Sequence, residues 1–299
     1  MKTKWIIWSL ILLVTISIPI IFKTNPSDIL SYEKAALLGL IEGITEYLPI
    51  SSTGHLIIAN HYLLDSSDPQ VQRALNAYSI IIQGGAIFAV AILYRKRFKS
   101  LVEGLLGKNH VGFKLGRNLL FAFLPAAILG LLLNDLIDSY LFNLPSVITA
   151  LVLGAFVMFW AEKFRKAKKR KDIDIENLTI PQAVLIGLFQ CIAMWPGTSR
   201  SMATIVGGYW VGLKPTQAAE FSFLLGFITL SAASAYKIVT SGSAVLESFT
   251  IGPLLMGVII ATIFAILTIK WLINYLTRYG LEIFGYYRII LALILISIR

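Results

Sequence analysis

The amino-acid sequence predicts an all-α polytopic membrane protein built as an inverted-topology repeat. Each half is a re-entrant helix hairpin followed by three transmembrane helices, and an extra N-terminal anchor helix precedes the first half. Three observations carry this reading. The first is composition: 57% of the 299 residues are hydrophobic and only 14% are charged, with a mean hydropathy of +0.77. A soluble domain carries nearer a quarter charged residues and could not hide so much apolar surface. The second is that two apolar stretches, 35–60 and 182–206, are each broken midway by proline, glycine and a cluster of hydroxyl and charged residues. The third is that these two broken stretches resemble one another.

The elements follow in chain order. Residues 1–22 place Lys2 and Lys4 before an apolar run, as a signal peptide does, but no small-x-small cleavage pattern follows. An uncleaved anchor is expected, so 1–34 reads as anchor plus external linker. Uninterrupted apolar segments at 74–94, 119–133, 147–161, 218–239, 252–274 and 284–298 read as spans, as does 5–22. Charged groups and open backbone at membrane depth are tolerated only in a protein-lined or watery cavity. The broken stretches are therefore read as hairpins. This divides the chain into a first repeat at 35–161, a basic cytoplasmic loop at 162–181 and a second repeat at 182–299.

Orientation comes from the basic residues. A loop expected between 94 and 119 holds Arg95, Lys96, Arg97, Lys99, Lys108, Lys114 and Arg117; a second basic loop holds the cluster from Lys163 to Lys171. By the positive-inside rule both face the cytoplasm, and two spans separate them, so they share one face. The intervening turn with Asp135 and Asp138 is then outside, the first hairpin opens outward and the second inward. The net charge of +10 is thus a topology signal, and no nucleic-acid partner is expected. Cys191 is the single cysteine, which excludes a disulfide framework and a cysteine-based metal site.

The repeat is visible in the residues. Leu38-Gly39-Leu40-Ile41-Glu42-Gly43-Ile44 aligns with Ile186-Gly187-Leu188-Phe189-Gln190-Cys191-Ile192, and Pro49-Ile50-Ser51-Ser52 with Pro196-Gly197-Thr198-Ser199 after a one-residue slip. Each half contains three spans after its hairpin, an odd number, so the halves are inverted. Paired broken helices in such a repeat place a site near the midplane.

Chemistry concentrates at the two breaks. Glu42 and Glu46 share one helix face and cannot both stay ionised in an apolar setting without a counter-charge. They suit a divalent cation or a shared proton. Pro49 ends that helix, and Ser51, Ser52 and Thr53 can cap a second half-helix whose N-terminus attracts an anion. Ser52 and His55 are three apart, so an imidazole base can sit beside a hydroxyl nucleophile. In the second break, Arg200 stands among Thr198, Ser199, Ser201 and Thr204, which is phosphate-binding chemistry. His61 and His110 read as ordinary structural residues.

The stretches Glu-Gly-Ile-Thr-Glu-Tyr-Leu-Pro-Ile-Ser-Ser-Thr-Gly-His at 42–55 and Pro-Gly-Thr-Ser-Arg-Ser-Met-Ala-Thr at 196–204 closely resemble the signature motifs of the undecaprenyl-diphosphate phosphatase family, the bacitracin-resistance type of integral-membrane lipid phosphatase. The resemblance runs from about 35 to 299. Met202 departs from it, standing where the family pattern generally has glycine, and the anchor is an addition to the usual core. The resemblance implies hydrolysis of undecaprenyl diphosphate to the monophosphate on the outer face of the bacterial inner membrane. That reaction recycles the lipid carrier of peptidoglycan synthesis.

By the same resemblance, Glu42 and Glu46 would be the acidic pair tied to a divalent cation, Mg²⁺ or Ca²⁺. Ser52 with His55 would supply nucleophile and base, with Arg200 completing the catalytic set. Ser51, Thr53, Ser199, Ser201 and Thr204 would bind substrate. The expected partners are the polyprenyl diphosphate and membrane lipids. Serine against water as nucleophile is open, and so is the oligomeric state, a homodimer included. A second class of function, an alternating-access flippase of the polyprenyl phosphate, has the same layout, but it needs no base beside a nucleophile.

Overall fold

The computed structural model describes residues 30–63, 69–167, 172–248 and 251–297, and within them the chain is helical. The expected anchor at 5–22 lies outside the described residues. Ser31 caps α1 (Tyr32–Thr45) by accepting from the Lys34 N–H. The helix stops before Pro49, and α2 (Ser52–Leu63) begins three residues beyond it. Then come α3 (Pro69–Leu93), α4 (Arg95–Leu105), α5 (His110–Tyr140) and α6 (Leu144–Ala167). A short 3₁₀ turn at Ile175–Asn177 leads to α7 (Ile180–Ile192), which starts with Pro181 in its first turn and a reciprocal Thr179–Gln182 cap. Past the second break lie α8 (Arg200–Val211), α9 (Pro215–Ser248), α10 (Ile251–Leu276) and α11 (Glu282–Ser297). Gly212, at φ 99°, ends α8 in the left-handed conformation a helix stop requires.

Among the described residues, four helices are long and apolar enough to cross a bilayer, represented by His110–Leu133, Leu144–Ala167, Pro215–Tyr236 and Ile251–Leu276, and a fifth span results if α3 and α4 count as one bent element. The chain is a multi-pass helical membrane protein. Residues expected as the span 284–298 form α11, whose 16 residues reach only about 24 Å, short of the roughly 30 Å hydrocarbon core. The helices flanking the breaks are shorter again, at 14 and 12 residues in the first half and 13 and 12 in the second.

One expectation is corrected. The basic stretch 94–119 is not a loop: α4 turns 78° from α3 and runs as a helix, and α5 has begun by His110. Arg95, Lys96 and Lys99 had suggested solvent, but Leu101 packs on the core and Gly104 is buried. Arg97 pins the helix by donating to Glu220 on α9 (2.6 Å) and Glu176 in the 3₁₀ turn (2.8 Å). Helix α4 is amphipathic, with a half-buried stripe of Phe98 and Leu101 beside the buried Gly104.

The helices before the two breaks pack crosswise. Helix α1 rests on α10, while α7 rests on α5, so each reaches a long helix of the opposite half. Small residues allow this closeness. A Cβ on Gly39 would collide with the Gly257 carbonyl, and one on Gly187 with the Ala122 carbonyl. Such approach is how helices gain contact where lipid removes the hydrophobic drive. Gly187→Ala should therefore lower the thermal midpoint in detergent by several degrees. Gly84, with open space where its Cβ would be, should accept alanine with no loss, or with a gain approaching the roughly 0.8–1 kcal/mol helix preference for alanine. Equal effects at the two positions would contradict the crosswise packing.

Candidate active site

Each break turns on a serine in an unusual conformation. Ser51 has φ 75° and Ser199 φ 76°, the only non-glycine residues of positive φ among those described. This left-handed region costs an L-residue of the order of 1–3 kcal/mol and persists where surroundings over-determine it. Here the serine side chains then accept from the backbone N–H three residues on: Gly54 at 3.2 Å and Met202 at 3.3 Å. Each serine thus caps the first turn of the helix it introduces.

The two breaks meet across a buried carboxylate. Ser52 Oγ donates to Glu46 Oε2 at 2.5 Å, and Arg200 Nη2 donates to Glu46 Oε1 at 2.8 Å. Arg200 Nη1 donates to the Ser222 carbonyl on α9 at 2.8 Å, and its guanidinium lies 5.7 Å from the centre of the Tyr47 ring. Glu46 is thereby held on both oxygens, with a hydroxyl on one and a fixed cation on the other. These three side chains line a cavity of about 270 Å³, with Gln190, Trp195 and Thr229 among the others around it. Ser51, Thr53 and Ser199 line it as well.

Other expected site residues sit behind this surface. Ser201 Oγ donates to the Leu48 carbonyl at 2.9 Å, tying the second break to the first. Thr204 Oγ1 lies 2.8 Å from the Arg200 carbonyl and 2.7 Å from Ser222 Oγ. Neither lines the cavity. His55 departs most from expectation. Its Nδ1 is 2.6 Å from the Ser51 carbonyl and its Nε2 is 2.7 Å from Tyr287 Oη. The structure does not bring the imidazole to the Ser52 hydroxyl, because α11 holds the ring and the backbone of the strained serine takes its other nitrogen. The group within reach of Ser52 is Glu46.

Glu42 is the other outlier. It is 1% exposed, and neither carboxylate oxygen has a hydrogen-bond partner among the described residues. Its charged neighbours are Glu46 and Arg200. A buried carboxylate with two free oxygens beside a second carboxylate fits a hard cation, which takes oxygen donors only. No group of three or more His, Cys, Asp or Glu is gathered among the described residues. Two carboxylates with substrate oxygens and water would therefore complete such a shell.

Sequence reasoning missed Gln190, Ser222, Tyr287 and Arg288. Arg288 had a signal available, since an arginine inside an apolar helix is costly and rarely idle. Tyr287 had none, being one aromatic among many and 232 positions from the histidine it meets.

Fold and site together define a multi-pass helical membrane protein with a carboxylate, a hydroxyl and a guanidinium sharing one buried cavity. The chain belongs to the bacitracin resistance protein BacA family, whose family model matches residues 35–294. It is 43% identical over 270 residues to undecaprenyl-diphosphatase 2 of Rhodospirillum rubrum, covering 90% of this chain and 96% of that one. It is 42% identical over 260 residues to the undecaprenyl-diphosphatase of Sorangium cellulosum, covering 86% and 83%. With the undecaprenyl-diphosphatase of Acinetobacter baumannii it shares 41% identity over 263 residues, covering 88% and 94%.

The buried ion pair generates a stability prediction. Removing one partner strands a charge, at roughly 3–5 kcal/mol. Arg200→Met should thus lower the thermal midpoint markedly, and Glu46→Gln added to it should recover part of the loss. A double mutant that melts as low as the sum of the two single effects would show that the pair is not coupled.

Proposed function

We propose that this protein hydrolyses undecaprenyl diphosphate to undecaprenyl phosphate and inorganic phosphate. The observation that carries the reading is the Ser52 hydroxyl donated to Glu46, whose other oxygen is fixed by Arg200 at the wall of the cavity. The names of the relatives supply the substrate class. A lipid carrier would need an anion site but no hydroxyl aimed at a base.

In the mechanism this supports, Ser52 Oγ attacks the terminal phosphorus and its proton passes to Glu46. The bond to the bridging oxygen breaks, and the lipid leaves as the monophosphate without needing a proton. Glu46 releases the serine proton to bulk water; water then attacks the phosphoserine and gives a proton to Glu46, which passes it to Ser52 Oγ as the P–O bond breaks and phosphate departs. Arg200 supplies fixed positive charge to the phosphoryl oxygens in both steps. Ser199, Ser51 and Thr53 contribute donors at the cavity wall, while Ser201 and Thr204 brace the second break. Glu42 with Glu46 would hold Mg²⁺ or Ca²⁺, which when bound offsets the charge of the diphosphate. His55 is a positioning residue that fixes the Ser51 carbonyl and so the direction of the α2 N-terminus.

The inverted repeat of two re-entrant hairpins belongs to the same proposal. Its support is a constant spacing: Ser51 and Ser199 stand 148 positions apart, as do Gly39 and Gly187. The first pair shares its backbone conformation and the second its close approach to the opposite half. At that spacing no one-residue slip is needed; Ser51 corresponds to Ser199. The basic residues orient the repeat with the cavity toward the outer half of the bacterial inner membrane, since Gly130 lies on the outward side of α5. Release of the monophosphate there would return the carrier to cell-wall synthesis.

Purified protein should release phosphate from undecaprenyl diphosphate, and a chelator should abolish the release. Ser52→Ala and Glu46→Gln should each lower kcat by about 10²–10⁴, and Arg200→Ala should damage KM as well. Tyr287→Phe, which loosens His55, should cost less than tenfold. A loss at Tyr287→Phe as large as at Glu46→Gln would return the base role to His55. No phosphate above the Arg200→Ala background would sink the enzyme reading.

Orientation has its own test. In a Cys191→Ser background, Asn143→Cys should react with an impermeant thiol reagent on intact cells, and Lys108→Cys only after permeabilisation. Labelling of both from outside would overturn the topology.

A further inference from the structure

Arg288 is fully buried on α11, yet no carboxylate is among its hydrogen-bond partners. An arginine has five N–H groups, and all five are directed at main-chain carbonyls. Nη1 donates to Thr198 at 2.8 Å and Pro49 at 3.4 Å. Nη2 donates to Gly197 at 2.9 Å and Ala150 at 2.8 Å, and Nε to Leu151 at 3.1 Å. Three of these carbonyls belong to the breaks, one to the first and two to the second; the others belong to α6.

Burying a guanidinium without a counter-ion is expensive. The carbonyl dipoles are the compensation, and three of the five come from the segments whose helical bonding the breaks interrupt. Helix α6 gives way to make room: Gly154 packs so closely that a Cβ there would run into Nη2 and Cζ. The neighbouring Tyr287 holds His55, whose other nitrogen is on the Ser51 carbonyl. Two adjacent residues of one helix thus hold both breaks.

The peptide plane carries this to the cavity. In a trans peptide, C=O and N–H point in opposite directions. With the Thr198 carbonyl drawn to Arg288, the Ser199 N–H is directed away from it, and Ser199 lines the cavity. We propose that Arg288 is a positioning residue for the phosphoryl-transfer site, setting the first break, with Ser52 and Glu46, in register with the second, with Ser199 and Arg200. This rests on the diphosphatase reading.

The test compares kcat and KM for undecaprenyl diphosphate, per folded molecule judged by gel filtration and thermal midpoint, in wild type, Arg288→Lys, Gly154→Ala, Ser52→Ala and the Ser52→Ala/Arg288→Lys double. Lysine keeps the charge but has three donors, and alanine at 154 displaces the guanidinium without removing it. Folded Arg288→Lys and Gly154→Ala should each lose at least tenfold in kcat with KM changed less than threefold. The double should be no slower than Ser52→Ala, since register has no value without the nucleophile. Unchanged kcat per folded molecule, effects that multiply in the double, or failure of both variants to fold would overturn the inference and leave Arg288 a structural residue. Wild type without phosphate release would instead overturn the diphosphatase reading, so the two failures are distinguishable.

Discussion

A helix broken inside a packed helical membrane protein exposes amides and carbonyls that must find partners within the protein, and the rest of this structure depends on how those groups are satisfied. Two breaks are present, and neither is self-sufficient. Serine side chains cap the helices that follow them, Ser201 reaches across to Leu48, and Arg288 collects carbonyls from both. The breaks are thus mutually dependent. Their polar backbone is tolerable only because the other break and α11 are packed against it, which places the reactive groups of both halves around one cavity.

The same constraint explains why the charges are where they are. Glu46 and Arg200 come from different halves and are each nearly buried, with side chains 5% and 11% exposed. Either alone would be prohibitive. As a pair they are accommodated, and the Ser52 hydroxyl on the remaining carboxylate oxygen raises the number of bonds without adding charge. In the proposed mechanism, a substrate phosphate entering the cavity would compete for Arg200 and leave Glu46 free to accept a proton. Structural ion pair and proposed catalytic set are then the same atoms in two arrangements.

How much of this was legible in the sequence depends on the range of the interaction. The helical membrane class, both breaks and the acid, hydroxyl and guanidinium clusters follow from composition and from residues a few positions apart. Helix α4 was hidden because basic residues dominate its exposed face, whereas its burial is decided by Glu176 and Glu220, which lie far along the chain. The pairing of His55 with Ser52 failed for a related reason. A spacing of three places two side chains on one helical face, but it does not say which way a ring turns. That was decided by Tyr287 from the last helix. Glu46 is six positions from Ser52 and across the break, so no helical periodicity connects them.

In the proposed repeat, the constant spacing of 148 also explains why the frame can recur while the chemistry does not. Gly39 and Gly187, or Ser51 and Ser199, do the same backbone task in each half, and the residue type is retained. At matched positions with at least one member lining the cavity, the residues differ: Glu42, behind the wall, answers to Gln190, Glu46 to Met194 and Ser52 to Arg200. Two identical halves would bring four carboxylates together with no cation, an arrangement that repulsion and desolvation both forbid. One half therefore supplies the acids and the hydroxyl, and the other supplies the guanidinium and a neutral amide. On that proposal, symmetry would build the meeting place, and departure from symmetry would make it a site for an anion.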